Sequence, residues 1–377
     1  MKNTIGLYLH IPFCEKKCHY CDFLTFANYD DRIDDYVDYL TKEMALYRDE
    51  HYQLDTIYFG GGTPSYLSLP LMRQIIQGIY QNFEVLPDCE IAIEMNPESV
   101  TEEKIAGYLD LGFNRFSMGV QSFDDNVLKV MGRLHHAKDV QEKVAILRDH
   151  QIDNFSLDMM FNNPNQSFEV LKEDVSALLE LNPPHISYYS LMIKDKTPFA
   201  RWHHTGKIQL SDDDEERDMY HYIQQTLKQS GYEQYEISNF VKAPHYQSRH
   251  NKKYWQLKDY LGIGLGAASN IGLRRFSNSR RFDQYFQMID QGQRPIVYME
   301  AMDMEAREKE YIMLNLRLRQ GFDIREINRI YQIDFCQKYQ DALMKHQRYG
   351  VIEIEDDWIR FTDYGYDIGN QFYLDIL

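Results

Sequence analysis

The sequence predicts an α/β fold: an open, partial barrel of six β/α units, followed by a smaller α+β module that resembles a winged helix. Three observations carry this. Six short β-rich runs alternate with amphipathic helical stretches as far as about Gly231, the signature of a parallel sheet. Six units are too few for a closed eight-fold barrel. From Met304 onward the pattern changes to helices followed by a two-stranded wing.

The strand candidates are Ile5–His10, Thr56–Phe59, Glu90–Glu94, Arg115–Val120, Asn154–Met160 and His185–Leu191, all rich in Ile, Tyr, Phe and Val. Helical periodicity is expected over Arg32–Arg48, Leu69–Phe83, Glu102–Leu111, Ala137–His150 and Phe168–Leu181. Ser99-x-x-Glu102 reads as a capping box, and Ser211-x-x-Asp214 opens a helix to about Ser230. Tyr235–Phe240 is expected as a seventh strand, before the Gly-rich run Gly262-Ile263-Gly264-Leu265-Gly266. Further helices are expected over Ala306–Gln320, Ile324–Tyr331 and Phe335–Tyr349. A hairpin pairs Val351–Ile354 with Trp358–Phe361 through Asp356-Asp357, and Thr362 caps a last helix to Leu374. The expected divisions are 1–235 for the barrel, 236–303 as a connecting segment and 304–377 for the C-terminal module.

Composition narrows the function classes. A net charge of −17 argues against general nucleic-acid binding through phosphate neutralisation. No apolar run approaches ~20 residues, so no membrane span is expected. Met1-Lys2-Asn3-Thr4 leads directly into a strand-like run, so no signal peptide is expected. Five cysteines, three of them clustered, fit a reducing cytoplasm better than a disulfide framework.

The clustered cysteines are Cys14, Cys18 and Cys21, a C-x3-C-x2-C run. Thiolates are the ligands of iron–sulfur clusters. Three thiolates on a [4Fe–4S] cube leave one iron open to a small chelating molecule. The alternative is zinc, with His10 or His19 as fourth ligand; it lacks a second knuckle, since Cys89 and Cys336 stand alone. Tyr20, before the third cysteine, either stacks on a planar base or packs the loop.

Gly60-Gly61-Gly62-Thr63-Pro64 follows the second strand, where α/β sheets bind ligands. Such a loop offers backbone groups to an amino acid's amino and carboxylate ends, or is merely a tight turn. Glu94, Gln121 and Asp158 lie at or near the ends of successive strands, and Arg133 follows in Met131-Gly132-Arg133. A carboxylate can hold ribose hydroxyls, and an Arg can meet a carboxylate. Further on, His250-Asn251-Lys252-Lys253-Tyr254-Trp255 sets an imidazole beside aromatic rings. That pattern suits haem ligation and porphyrin packing, or an ordinary core histidine.

Together these residues resemble the oxygen-independent coproporphyrinogen III oxidase-like branch of the radical S-adenosylmethionine (SAM) proteins. Leu7-Tyr8-Leu9-His10-Ile11-Pro12-Phe13-Cys14 is similar to that branch's opening, and Tyr58-Phe59-Gly60-Gly61-Gly62-Thr63-Pro64-Ser65 to its glycine motif. The resemblance covers nearly the whole chain. It implies a radical SAM barrel holding a [4Fe–4S] cluster on Cys14, Cys18 and Cys21. It implies a SAM site lined by Tyr8, Tyr20, Gly61, Gly62, Thr63, Glu94, Gln121, Arg133 and Asp158.

Within the branch, Phe23 stands where the true oxidase has a fourth cysteine, and the first strand begins too early for that enzyme's N-terminal extension. The HNxxYW run, here His250 to Trp255, resembles the haem-chaperone subtype. That subtype implies haem as cargo, with His250, Tyr254 and Trp255 as candidate haem contacts. It implies haem-accepting proteins as partners, respiratory membrane enzymes among them, and a cytoplasmic protein able to associate with the inner membrane face. The alternative is a coproporphyrinogen III dehydrogenase using SAM radical chemistry. Two departures stand out. Phe161-Asn162-Asn163-Pro164 replaces Tyr-Gly-Leu-Pro, and Gly266-Ala267-Ala268-Ser269 lacks the branch's His.

Overall fold

The computed structural model describes residues 3–376. Six strands, β1 (Thr4–Ile11), β2 (Gln53–Gly61), β3 (Glu84–Met95), β4 (Arg115–Gln121), β5 (Phe155–Phe161) and β6 (His185–Ser190), pair in sequence order and all in parallel. Each is followed by at least one helix, as expected. The helices bury one stripe each against the sheet. Tyr36, Leu40 and Met44 do so from Ile33–Ala45, and Met219, Ile223 and Leu227 from Asp213–Gln229. This i, i+4 spacing is what a 3.6-residue period requires. Strand β1 is buried on both faces, as the centre of a parallel sheet should be.

The seventh parallel strand is not where the sequence placed it. It is β7 (Tyr260–Ile263), on the far edge beside β1. Within Tyr235–Phe240 only the end is strand: Asn239–Val241 pairs antiparallel with β6. Three strands that the sequence did not signal follow β7: β8 (Ala268–Ile271), β9 (Arg274–Asn278) and β10 (Ile296–Ala301). They extend the same sheet as an antiparallel meander. The stretch 236–303, expected as a connecting segment, therefore carries five of the twelve strands of the main sheet. Its Gly-rich look concealed β7. Gly262 is needed because a Cβ there would strike the Ala268 carbonyl.

Two expected caps move. Ser99 spends its hydroxyl on the Asn96 carbonyl (2.7 Å) and on Ser65 (2.6 Å), so Thr101 caps Glu102–Asp110 by accepting from Lys104 N–H. Asp212, not Ser211, caps Asp213–Gln229, by accepting from Glu215 N–H. In the C-terminal module the helix expected over Phe335–Tyr349 breaks at Tyr339, and the last helix breaks at Gly369. The wing forms as expected. Asp356 and Asp357 both take positive φ, the conformation a two-residue hairpin needs, and Thr362 accepts from Gly365 N–H as an N-cap. Phe322–Asp323 adds a third strand to it.

A buried carboxylate joins the meander to the barrel. Glu43, on the first helix, accepts from Gly264 N–H (2.8 Å), Asn278 Nδ2 (2.6 Å) and Tyr285 Oη (2.5 Å). Burial pushes its pKa up to about 7, against the pull of those three donors. Glu43→Ala leaves three buried donors without an acceptor, so it should cost roughly 3 kcal/mol or more. Denaturant unfolding reads this directly; a loss below about 1 kcal/mol would mean that water replaces the carboxylate.

Candidate functional site

Cys14 ends a short parallel pair, Phe13–Cys14 with Phe26–Ala27, that clips the base of the cysteine loop. All three thiols line a chamber of about 380 Å³ at the C-terminal ends of the barrel strands. Thr63 Oγ1 donates to Cys14 Sγ (3.4 Å) and Arg133 Nη1 to Cys18 Sγ (3.7 Å). Burial pushes the Cys14 thiol up to about 11, and the neighbouring thiols add to the rise. Burial likewise raises Cys21. A bound cation reverses that bias, because a coordinating thiol ionises outright.

As they stand, the thiols do not form a single-ion site. Among the described residues no three His, Cys, Asp or Glu side chains converge on a point that one ion could share. A cube instead takes one thiolate per iron. Of the two histidines that zinc would call on, His10 is engaged at both ring nitrogens and His19 at Nδ1. His10 meets Tyr8 Oη through Nδ1 (3.0 Å) and the Leu24 carbonyl through Nε2 (2.9 Å). His19 Nδ1 meets the Val130 carbonyl (2.8 Å).

The glycine loop lies against the cysteine loop. Gly61 has φ +112°, and a Cβ there would come within 2.5 Å of the His10 ring. A Cβ on Gly62 would meet the Phe13 and Ile11 carbonyls at 2.7 and 2.8 Å. The loop's N–H groups are already spent: Gly61 on Glu94 (3.3 Å), Gly62 on Ile11 O (2.8 Å) and Thr63 on Phe13 O (2.8 Å). Any polar contact its backbone makes with a ligand must come from carbonyl oxygens. These suit an ammonium and not a carboxylate, which narrows the expectation for this loop.

The fold brings most of the strand-end residues to one chamber. Tyr20, Glu94, Gln121, Arg133 and Asp158 all line the chamber with the glycine loop; Tyr8 does not. Tyr8 sits beneath, stacked on Tyr58 with ring centroids 6.3 Å apart. Glu94 accepts from Tyr58 Oη (2.7 Å), and Asp158 from Ser117 (2.7 Å) and Ser156 (2.8 Å). Burial raises both carboxylates; Glu94 reaches about 7, with the Asp158 charge adding to its rise. Gln121 holds φ +73°, unusual for a residue with a side chain, at the point where β4 ends in the chamber. Arg133 donates to Asn96 Oδ1 (2.9 Å) and Gly119 O (2.6 Å), while its buried Nε has no partner. No ion pair among the described residues answers its charge.

Sequence reasoning missed Asn96, which links Arg133 to Thr63 Oγ1 (3.0 Å), and Tyr58, which fixes Glu94. Both lie beside residues that the sequence singles out, in Glu94-Met95-Asn96-Pro97 and Tyr58-Phe59-Gly60. The departure at Asn162 is resolved. Asn162 takes φ +58° where the branch has glycine, and asparagine tolerates that region. Its side chain ties the turn to Glu216 (2.9 Å) and Ser211 N–H (3.1 Å). Ala268, the other departure, is exposed at the start of β8.

The HNxxYW residues form the helix Arg249–Trp255, which the sequence did not signal. His250 is fully buried, with Nδ1 on Thr56 Oγ1 (2.8 Å) and Nε2 on Tyr254 Oη (2.9 Å). Both ring nitrogens are in use within the fold, where the ring fixes the helix to β2. Trp255 lines neither the chamber nor the large groove beyond the helix, and Tyr254 faces Tyr260 edge-on (4.8 Å).

Comparison with known proteins agrees with this geometry. Residues 8–178 match the radical SAM superfamily, and residues 303–368 match the HemN C-terminal domain. Coproporphyrinogen III oxidase (HemN) from Escherichia coli superposes with a TM-score of 0.86 at 22% identity, over 100% of this chain and 90% of that one. The likeness establishes the fold: a radical SAM barrel carrying a HemN-type C-terminal domain. Among curated relatives, heme chaperone HemW of Lactococcus lactis is 32% identical over 98% of this chain and 96% of its own. HemW of Bacillus subtilis is 32% identical over 97% of each, and HemW of Escherichia coli 37% identical over 83% of this chain and 82% of its own. The chain belongs to the HemW family of haem chaperones.

Burial, with Lys253 nearby, lowers the His250 pKa to about 3, so the ring is neutral in the fold and gains a proton on unfolding below about 6.5. The unfolded chain binds the extra proton, so this stabilisation is full above about 6.5 and declines as pH falls toward 3. The stability advantage of the wild type over His250→Gln should therefore shrink steadily from pH 7 to pH 4. Unfolding series at several pH values check it; an advantage independent of pH would mean that the ring is not held neutral.

Proposed function

We propose that this chain binds a [4Fe–4S] cluster on Cys14, Cys18 and Cys21, binds SAM in the adjoining chamber, and carries haem to acceptor haem proteins. The observation that carries the cofactor reading is the convergence of three thiols, a glycine loop, two carboxylates and an uncompensated guanidinium on one chamber. Carbonyls of the Gly61–Thr63 loop suit the SAM amino group. Arg133 suits an anionic neighbour, the SAM carboxylate or the thiolates. Glu94 and Asp158 suit ribose hydroxyls; a carboxyl with its pKa near 7 can accept or donate there. Tyr20 offers a ring to the adenine, and Gln121 a polar edge. When bound, the cluster supplies an electron for reductive SAM chemistry.

The haem part of the proposal rests on family membership. Phe23 favours it over coproporphyrinogen turnover. It lines the chamber mouth, 64% exposed, in the place of a fourth cysteine. The acceptors we favour are respiratory enzymes, which would bring the chain to the inner membrane face from the cytoplasm. Among the described residues no helix is long and apolar enough to cross a membrane.

Anaerobic reconstitution with iron and sulfide tests the cofactor set. Cys14→Ala, Cys18→Ala and Cys21→Ala should each abolish the cluster's visible absorption, while Cys89→Ala and Cys336→Ala retain it. Normal clusters in all three loop variants would end the assignment. SAM should alter the EPR spectrum of the reduced cluster. Product detection by HPLC should find no multiple turnover of coproporphyrinogen III; finding it would promote the dehydrogenase reading.

A further inference from the structure

A second large cavity lies away from the SAM chamber. It is a groove of about 940 Å³ at the opposite end of the barrel, near Thr4 of β1 and Asp55 of β2. That is near the top of the roughly 300–1,000 Å³ range of small-molecule sites. One wall is the helix Arg249–Trp255; another is Tyr311, Ile330 and Tyr331 of the C-terminal module. We propose that this groove is the haem cradle, with His245 as the axial ligand and Lys252 and Lys258 receiving the propionates. The proposal rests on the haem-chaperone reading and gives the cargo a place.

Charge is the first argument. In a chain of net charge −17, five cations line this groove against Asp55 and Asp259. Four of the five are paired: Lys253 with Asp55 (2.8 Å), Arg307 with Glu310 (3.0 Å), Arg249 with Asp88 (3.5 Å) and, most loosely, Lys258 with Glu326 (3.8 Å). Lys252 is not. Its half-buried ammonium donates to the Gln247 amide oxygen (2.7 Å) and meets no carboxylate. Burial lowers its pKa, the mark of a cation short of an anion. Lys258 is more than half exposed, and Glu326 stands 3.8 Å away. Lys252 is thus open to an anion, and Lys258, held only by a solvent-exposed pair, can exchange its partner for one, which suits a ligand with two carboxylates.

Ligation is the second argument. His245 lines the groove, is exposed, and has no protein partner on either ring nitrogen; its ring lies beside Tyr246 with centroids 4.0 Å apart. Haem iron needs one imidazole nitrogen, and neither of His245's is engaged by the protein. His250, five residues on, is the reverse case.

The apolar wall is the third. Leu273 and Met304 are 39% and 47% exposed in the groove. Leu257 lines it at φ +55°, a conformation bulky side chains avoid. The motif helix gains a role here. Ser248 and Asn251 face the SAM chamber, while Arg249, Lys252 and Gln256 face the groove. The HNxxYW run builds the partition between two sites, and its histidine holds that partition in place.

The test is haemin titration of the full chain, followed by absorbance and EPR, with cluster content measured in parallel. The wild type should bind one haem. His245→Ala should weaken binding and shift the Soret band, with loss of the histidine-ligated ferric EPR signal. Lys252→Glu should weaken binding at least about ten-fold, as expected for one lost charge-assisted contact, and Lys252→Arg should restore it. Lys258→Glu repeats the charge test at an exposed position, so misfolding cannot mimic the result. His203→Ala and His204→Ala, exposed histidines outside the groove, should bind as the wild type does. If the wild type binds haem and His245→Ala, Lys252→Glu and Lys258→Glu match it in affinity and spectrum, the groove assignment is overturned while the chaperone reading stands. If the spectral change follows His203 or His204 instead, the ligand assignment is overturned. If the wild type binds no haem, the chaperone reading falls, and the groove assignment with it.

Discussion

The architecture turns on how one short helix is seated in the barrel floor. The buried Glu90 carboxylate accepts from the N–H groups of Arg249 (3.1 Å) and His250 (3.0 Å), the first donors of that helix. A carboxylate at a helix N-terminus answers both the unpaired donors and the helix dipole. Ser248 caps the same end by accepting from Asn251 N–H. His250 then bolts the helix to β2 through Thr56, with its ring stacked on Tyr58 at 5.1 Å. Tyr58 in turn holds Glu94 in the chamber. One chain of contacts thus runs from the floor to the ligand-facing carboxylate.

The chamber is also built from refusals. Its glycines exist because the His10 ring and the Phe13 carbonyl occupy the space a Cβ would need. Its N–H groups are spent on Glu94 and on the Ile11 and Phe13 carbonyls, so the glycine loop braces its neighbours more than it displays donors. The polar residues are held by neutral hydroxyls and amides instead of by opposite charges. Burial then drives Glu94 and Asp158 toward the protonated form and leaves Arg133 without a counter-ion. Such a site keeps its electrostatic capacity for what enters it.

Much of this was legible in sequence, for identifiable reasons. The six parallel strands are β-branched and aromatic runs with helical periodicity between them, and both signals are local. The cysteine spacing is covalent and cannot be hidden. The wing turn was readable because Asp356-Asp357 accepts positive φ. What escaped was what only tertiary contact decides. β7 was masked by a glycine that a distant carbonyl demands. Ser99 lost its cap to a hydroxyl partner on another loop. At His250 the sequence shows an imidazole among aromatics, not that both its nitrogens are in use within the fold. Five residues earlier, His245 carried no motif, and only the groove around it sets it apart.

The helix Arg249–Trp255 is a wall between two cavities, and thermodynamics makes the relation of any two ligands across it mutual. Ser248 and Asn251 look into one cavity, and Arg249 and Lys252 into the other, across a single turn of backbone. A ligand that shifts this helix from the chamber side changes the affinity on the groove side. By linkage, a ligand in the groove must change the chamber's affinity by the same factor. A carrier built in this way would not need radical chemistry to release its load. Filling or emptying the chamber would be enough to change its grip.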